Sequence, residues 1–105
     1  MTQTAIIERI KEVMQKAIPP CMTILYGSQA RGDARSDSDI DLLVLVDGES
    51  LSIEDELRIT APLFSIEYET GVAISPYVML RKDWDNRPFN TPFSNNILKE
   101  GMILS

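Results

Sequence analysis

Two neighbouring groups of residues in this sequence carry side chains that can bind a divalent cation and phosphate. Asp39 and Asp41 lie two residues apart, so on a β-strand both carboxylates would project from the same face. Two like charges at this spacing repel each other by about 1 kcal/mol or more unless a cation lies between them. Carboxylate oxygens select hard cations, so the pair predicts a site for Mg²⁺ or Mn²⁺. Because the sequence has no histidine, carboxylates would have to carry any acid–base chemistry.

Gly27 and Ser28 form the second group, directly after the short apolar run 22–26. A strand that ends in Gly-Ser and leads into a short helix brings together backbone N–H groups, a hydroxyl and the positive end of a helix dipole, all of which suit phosphate oxygens. Gly27 also lets a ligand approach the backbone, because it has no Cβ. Taken singly, each group is more often a plain turn or a solvated strand entrance. Their occurrence together on consecutive predicted strands favours one shared metal–triphosphate site.

Hydrophobic periodicity predicts the elements that must position these residues. We expect helices over 4–18, 29–31, 52–69 and 96–100, and strands over 22–26, 39–46 and 72–80. Pro19 should end the first helix, Ser28 should cap the second, and Pro62 should either kink the third or split it in two. Pro76 places the last strand at an edge of the sheet or bulges it. The predicted fold class is therefore α+β, or a layered α/β arrangement, with helices packed against a small sheet.

Two sets of apolar residues accompany these elements. One side of the third helix is marked, at helical spacing, by Ile53, Leu57, Ala61, Phe64 and Tyr68. Trp84, Phe89 and Phe93 could form a base-stacking platform, but in so small a protein such residues more often form a plug that closes the core. We adopt the plug as our interpretation.

Length and composition narrow the possible functions. The 105 residues fit one domain, residues 1–105. A net charge of −6 disfavours long nucleic acid as a partner, whereas a nucleotide neutralised by Mg²⁺ remains compatible with an acidic protein. The single cysteine cannot form an internal disulfide, and we find neither a targeting segment nor an apolar run long enough to span a membrane. A cytoplasmic protein without a membrane partner is the expectation.

The segment 27–42 resembles the signature of the minimal nucleotidyltransferases of the DNA polymerase β-like superfamily. Its residues 27–32 read Gly-Ser-x-Ala-Arg-Gly, and after a polar loop residues 38–42 read Ser-Asp-x-Asp-Leu. The resemblance implies a polymerase β-like fold with a small mixed sheet of about three or more strands. It also implies that Gly27 and Ser28 bind the triphosphate and that Asp39 and Asp41 are catalytic metal ligands. Arg31 would assist by orienting the loop or by touching phosphate.

Arg31 has a second interpretation that is about as plausible, a salt bridge to Asp33 or Asp37. The sequence also departs from the family at a third carboxylate, which active members generally carry on a later strand as metal ligand or base. No Asp or Glu lies between residues 72 and 80, and Ser75 aligns with the missing position.

The resemblance implies transfer of a nucleoside monophosphate, with AMP from ATP as the default, to a hydroxyl of a protein or small acceptor. The alternative is an antitoxin-type binding module that neutralises a HEPN-type toxin by contact, with a weakened site. The absent third carboxylate favours contact, whereas the retained Asp39/Asp41 pair favours modification. A purely structural descendant is disfavoured, because it would have no reason to keep two repelling carboxylates side by side.

Overall fold

Helices and strands alternate along residues 2–35 and 38–105, which the computed structural model describes. In chain order these elements are α1 Gln3–Gln15, β1 Cys21–Tyr26, α2 Ser28–Arg31, β2 Ile40–Val46, α3 Ile53–Thr70, β3 Ile74–Leu80, α4 Arg81–Asp85, α5 Pro92–Glu100 and β4 Met102–Ile103. The predicted α+β class and the predicted helices and strands are confirmed, with α4 and β4 as unpredicted additions. Within the described ranges, no helix is long and apolar enough to cross a membrane.

The strands form one mixed sheet in the order β3-β2-β1-β4. β1 is antiparallel to both β2 and β4, whereas β2 and β3 are parallel. A parallel pair needs a long crossover, and α3 supplies it between β2 and β3. β3 therefore lies at an edge, as Pro76 predicted.

The backbone of β3 alternates between its neighbour and the open edge. Ile40 N–H donates to the Ala73 carbonyl at 2.9 Å, so the polar backbone groups of Ala73 and of every second residue after it face β2. Ile74 and Pro76 consequently face outward. The outward N–H of Ile74 donates to the Glu67 carboxylate on α3 at 2.7 Å, and Pro76 has no N–H to offer.

Each face of the sheet has its own hydrophobic cluster, because alternate residues of β2 point to opposite sides. On one face, which we call the closed face, β2 packs against α1 and α3 through Ile40, Leu42, Val44, Val46, Ile6, Ile10, Met14, Ile59, Leu63 and Ile66. On the other face, which we call the site face, the cluster is smaller and lies beneath α4 and α5; it contains Ile24, Leu43, Leu45, Trp84 and Ile97. Burial of Trp84 and the packing of the partly buried Phe93 against this cluster confirm the plug interpretation for these two residues, whereas Phe89 is 69% exposed.

α3 is one helix that runs through Pro62, so of the two alternatives left open by the sequence the split is wrong. Its start is as predicted: the Ser52 side chain accepts from Asp55 N–H at 3.0 Å. The predicted apolar side is the solvent side, with Ile53 77% and Tyr68 91% exposed. A second apolar stripe, Ile59, Leu63 and Ile66, is the buried one, so periodicity alone could not choose between the two sides.

The first helix ends three residues earlier than predicted, at Gln15 rather than 18. Pro19 disfavours the helical conformation for the residue before it, and the chain turns here towards β1. The Ile18–Pro19 peptide bond is cis.

Candidate functional site

The Gly-Ser turn and the aspartate pair meet because of the register between β1 and β2. Tyr26, the last residue of β1, lies directly opposite Asp41. Gly27 follows at once, and a Cβ built on it would lie 2.6 Å from Asp41 Oδ2. The Asp41 carboxylate thus lies against the turn, in the space that a Cβ at position 27 would need, so only glycine fits there without a shift.

Gly27 has a backbone that other residues rarely adopt, with φ 76° and ψ −155°. Its carbonyl accepts from the N–H groups of both Ala30 and Arg31 at 3.1 Å. Gly27 is therefore the N-cap residue and Ser28 is the first residue of α2, so the predicted capping role of Ser28 is wrong; no side chain caps this helix. The reason is that the turn at positive φ occurs one residue earlier than the side-chain chemistry suggested. The Ser28 hydroxyl is left for another partner.

Asp41 points to the site face of β2, and Asp39, which directly precedes the strand, is close enough for its charge to act on Asp41. Ile40 between them is fully buried in the closed face. Asp41 is half-buried, and burial raises its pKa, with a further contribution from the negative charge of Asp39. Asp39 itself is exposed. Charge repulsion between the pair, inferred above from spacing alone, therefore acts in the folded chain.

Arg31 forms the salt bridge that was one of its two predicted roles. Its Nε lies 3.2 Å from Asp33 Oδ2, and its Nη1 lies 3.2 Å from Glu100 Oε2. Hydrogen bonds to Asp33 and then Glu100 raise the pKa of Arg31. The guanidinium thus joins α2 to the end of α5. Asp37, the other predicted partner, lies outside the described residues.

Ser75 is the residue at which the sequence led us to expect a third carboxylate. It lies directly opposite Asp41 in the parallel register of β2 and β3, and it is exposed. Other acidic residues are engaged elsewhere: Glu67 accepts from Ile74 N–H at 2.7 Å, and Glu69 pairs with Arg9 at 2.6 Å. Among residues 2–35 and 38–105, no group of three or more His, Cys, Asp or Glu side chains could hold a metal ion.

The donors present suit a hard cation of the Mg²⁺ or Mn²⁺ class. Asp39 and Asp41 offer carboxylate oxygens, and the Asp41 carboxylate lies directly against the Gly27 turn. Two protein ligands leave the remaining coordination positions to phosphate oxygens and water, which is how Mg²⁺ is commonly bound. The pair fits a cation that arrives together with a triphosphate.

Sequence reasoning missed an aromatic group beside Asp41. The ring of Phe93 lies 5.5 Å from that of Tyr26, edge to face, and 5.4 Å from that of Tyr77. Burial raises the pKa of Tyr26, and the charge of Asp41 raises it further. Strand alternation could have identified Tyr77 from the sequence, because it puts this side chain on the same face as Ser75. Phe93, on α5, had no such signal.

Sequence comparison relates this chain to known nucleotidyltransferases. The family model described as Polymerase beta, Nucleotidyltransferase matches residues 8–105. A protein of Methanocaldococcus jannaschii assigned as a protein adenylyltransferase is 35% identical over 81 residues, which span 77% of this chain and 74% of that protein.

Two solved structures share the fold. A chain of a toxin–antitoxin complex with AMP-PNP superposes with a TM-score of 0.64 at 19% identity, over 94% of this chain and 72% of that chain. A chain of the complex between the tri-AMPylated Shewanella oneidensis HEPN toxin and its MNT antitoxin gives a TM-score of 0.59 at 16% identity, over 99% and 72%. The family model, which covers nearly the whole sequence, and the match to the M. jannaschii protein show that the chain is a member of the polymerase β nucleotidyltransferase family.

Proposed function

We propose that this protein transfers AMP from ATP to a hydroxyl group of a protein or small acceptor. The observation that carries the proposal is the contact between Gly27 and Asp41. It brings a turn of the kind that binds phosphate against a carboxylate that can bind a metal ion. Family membership supports nucleotidyl transfer, and the name of the M. jannaschii relative supports AMP and a protein acceptor.

Each residue would have a defined task in this reaction. Ser28 and the backbone N–H groups beside Gly27 would hold the β- and γ-phosphates. Asp39 and Asp41 would hold the divalent cation, Mg²⁺ or Mn²⁺, which supplies positive charge to the phosphates and to the attacking and leaving oxygens. The acceptor oxygen would bond to the α-phosphorus as the bond to the β-phosphate oxygen breaks and pyrophosphate leaves.

The proton of the acceptor hydroxyl needs a destination. The Ser75 hydroxyl can orient an acceptor hydroxyl through a hydrogen bond, but it is too weak a base to take the proton. The proton would therefore pass to solvent. This predicts transfer that is slower than in a site with three carboxylates.

Isothermal titration with ATP in the presence of Mg²⁺ tests the site. Replacing Asp39 and Asp41 together by alanine should abolish the binding seen in the parent. Asp83→Ala with Asp85→Ala is the matched control, because these two aspartates have the same spacing but are exposed on α4. Equal ATP affinity in the Asp39/Asp41 double variant and in the control would refute the proposed site.

Restoring the third carboxylate tests the catalytic part. Ser75→Asp should raise the rate of AMP transfer about ten-fold or more, since a positioned general base typically contributes at least that much. Ser75→Asn is the control, because it adds similar bulk without a basic group. A rise with Asn equal to that with Asp would show that Ser75 does not occupy the base position.

A second candidate function is neutralisation of a HEPN-type protein by contact. It is favoured by the apolar stripe Ile53, Leu57, Ala61, Phe64 and Tyr68, which lies on the solvent side of α3 away from the closed face. Five of the six charged residues of α3 are acidic, so the complementary surface would be a helix with basic flanks. The solved structures of similar fold come from complexes with toxin partners, which supports this class of occupant.

The two functions respond to different substitutions. With a purified HEPN-type partner, Leu57→Asp should weaken association at least ten-fold, whereas the Asp39/Asp41 double variant should still associate. Label from ATP that reaches the partner only with the parent aspartates would establish modification. Tight association without any label would leave neutralisation by contact alone.

A further inference from the structure

An aromatic cleft of about 200 Å³ lies on the site face beside the carboxylates. Tyr77, Phe89 and Phe93 line it together with Trp84 and Arg87. Its size accommodates one ring system rather than a whole nucleotide, since sites for complete ligands of that size typically exceed about 300 Å³.

The cleft adjoins the proposed metal–triphosphate site through two side chains. Tyr77 lies two residues beyond Ser75 on β3, so their side chains share a face about 7 Å apart. Ser75 is itself opposite Asp41. The ring of Phe93 contacts Tyr77 on one side and Tyr26, the β1 partner of Asp41, on the other. A ligand held at Asp41 therefore has the mouth of the cleft within reach.

The walls of the cleft are held in place by polar contacts. The Arg87 guanidinium lies 4.4 Å from the centre of the Trp84 ring and donates to the Trp84 carbonyl at 2.7 Å. Arg87 Nε also donates to Asn90 Oδ1 at 2.8 Å. These contacts hold the planar guanidinium group of Arg87 in place as one wall of the cleft. Planar rings stack favourably on both guanidinium groups and aromatic side chains.

At the mouth of the cleft, aromatic side chains are exposed to solvent rather than packed in the core. Phe89 is 69% exposed and Tyr77 is 54% exposed. Exposed aromatic side chains that adjoin a polar site are the usual platform for bases, because every nucleobase has a flat face on which to stack. Stacking of this kind increases the affinity for a nucleotide but discriminates little between the different bases.

We propose that this cleft binds the nucleobase of the nucleotide whose phosphates lie at Gly27, Asp39 and Asp41. The inference rests on the proposed nucleotidyltransferase function and adds the base subsite to it. Phe89 stacks on the base from solvent, and Tyr77 and Phe93 form the side nearest the phosphates.

Affinities for ATP and for inorganic tripolyphosphate, both with Mg²⁺, test the cleft separately from the phosphate site. The parent should bind ATP about ten-fold or more tighter than tripolyphosphate, because only ATP has a base to stack. Phe89→Ala should remove most of that difference and leave tripolyphosphate binding unchanged. Leu98→Ala is the control, since Leu98 is exposed on α5 without lining the cleft. Trp84, the single tryptophan, should change its fluorescence with ATP but not with tripolyphosphate.

The possible failures are distinguishable. If both ligands bind equally, or if Phe89→Ala and Tyr77→Ala both keep the preference for ATP, the base subsite is refuted and the phosphate site stands. If neither ligand binds, the proposed function falls and the base subsite falls with it. If these variants raise only the KM for the acceptor, the cleft holds an aromatic group of the acceptor, and the assignment to the base is overturned.

Discussion

Adjacent residues of one strand show how differently the two faces of this sheet are used. Leu42 points into the closed face and is completely buried, whereas Asp41 points to the site face and is half-buried beside Asp39. The closed face is covered along the whole length of β2 by α1 and α3. On the site face, α4 and α5 cover only Leu43 and Leu45 and leave the start of the strand open. The difference teaches that apolar packing on one face allows the other to keep two repelling carboxylates.

The largest expected effect is on the closed face. Leu42→Ala should lower the free energy of unfolding by about 2–5 kcal/mol, because it leaves a cavity between the sheet and two helices. Urea denaturation measures this loss. Leu57→Ala, at an exposed position of α3, is the control and should change the unfolding free energy by about 0.5 kcal/mol or less. A loss below about 1 kcal/mol for Leu42→Ala would mean that the closed face is not the main source of stability.

Gly27→Ala tests whether the two parts of the site are in contact. The positive φ should cost about 1–2 kcal/mol of stability, and the new Cβ would lie 2.6 Å from Asp41 Oδ2. We expect nucleotide affinity to fall more than ten-fold, as measured by titration. Gly71→Ala shares the positive φ but has nothing within 4 Å, so it should lose similar stability and keep nucleotide affinity. Unchanged affinity in Gly27→Ala would show that the contact between Gly27 and Asp41 is not needed for nucleotide binding.

Asp41→Asn measures, through its pH dependence, the cost of ionising a carboxyl that is half-buried and lies near Asp39. The folded pKa of Asp41 is raised above the usual 3.8, so ionisation weakens the folded state, and this loss is complete above the raised pKa. The asparagine variant should therefore melt at a higher temperature than the parent at neutral pH. The advantage should shrink as pH falls and vanish below 3.8, where the parent carboxyl becomes protonated in both states. An advantage independent of pH over this range would point to hydrogen bonding rather than charge.

The same titration of Asp41 should affect cation binding. Because protons compete with the cation for this carboxylate, affinity for Mg²⁺-ATP should fall with decreasing pH, and it should begin to fall at a higher pH than for an ordinary aspartate. Affinity measured at several pH values with constant ionic strength checks this expectation. An affinity that stays constant until below 3.8 would contradict it.

The smallest effect is expected on the outer side of α3. Tyr68 is 91% exposed, so Tyr68→Ala should change the unfolding free energy by about 0.5 kcal/mol or less. Leu63→Ala, one turn away on the buried side, should cost about 2–5 kcal/mol. Equal losses in the two variants would mean that α3 packs through both of its apolar sides.

The sequence predicted the site where short-range geometry decides the outcome. Asp41 points away from the closed face because strand alternation is local, and the position of Ser75 opposite it follows from counting along a parallel neighbour. Pro76 predicted an edge strand because a missing N–H is tolerated only there. These inferences need no knowledge of the remaining chain.

Features that depend on tertiary packing escaped sequence reasoning. Both sides of α3 are apolar, so only the position of the sheet decides that Leu63 is buried and Phe64 exposed. α4 has five residues, too few to show a periodic pattern, and β4 exists because residues 102–103 pair with β1. The aromatic cleft likewise requires α5 to place Phe93 over the sheet.

The strand that borders the proposed site, β3, is one of the two edges of the sheet, where a foreign strand could pair. An edge with free N–H groups is a template for aggregation, and β3 is such an edge. Its first outward N–H is already taken by the Glu67 side chain, and the next outward position is Pro76. The half of β3 nearest the carboxylates is thereby protected from intermolecular strand pairing, so the entrance to the site stays clear even when the protein is concentrated.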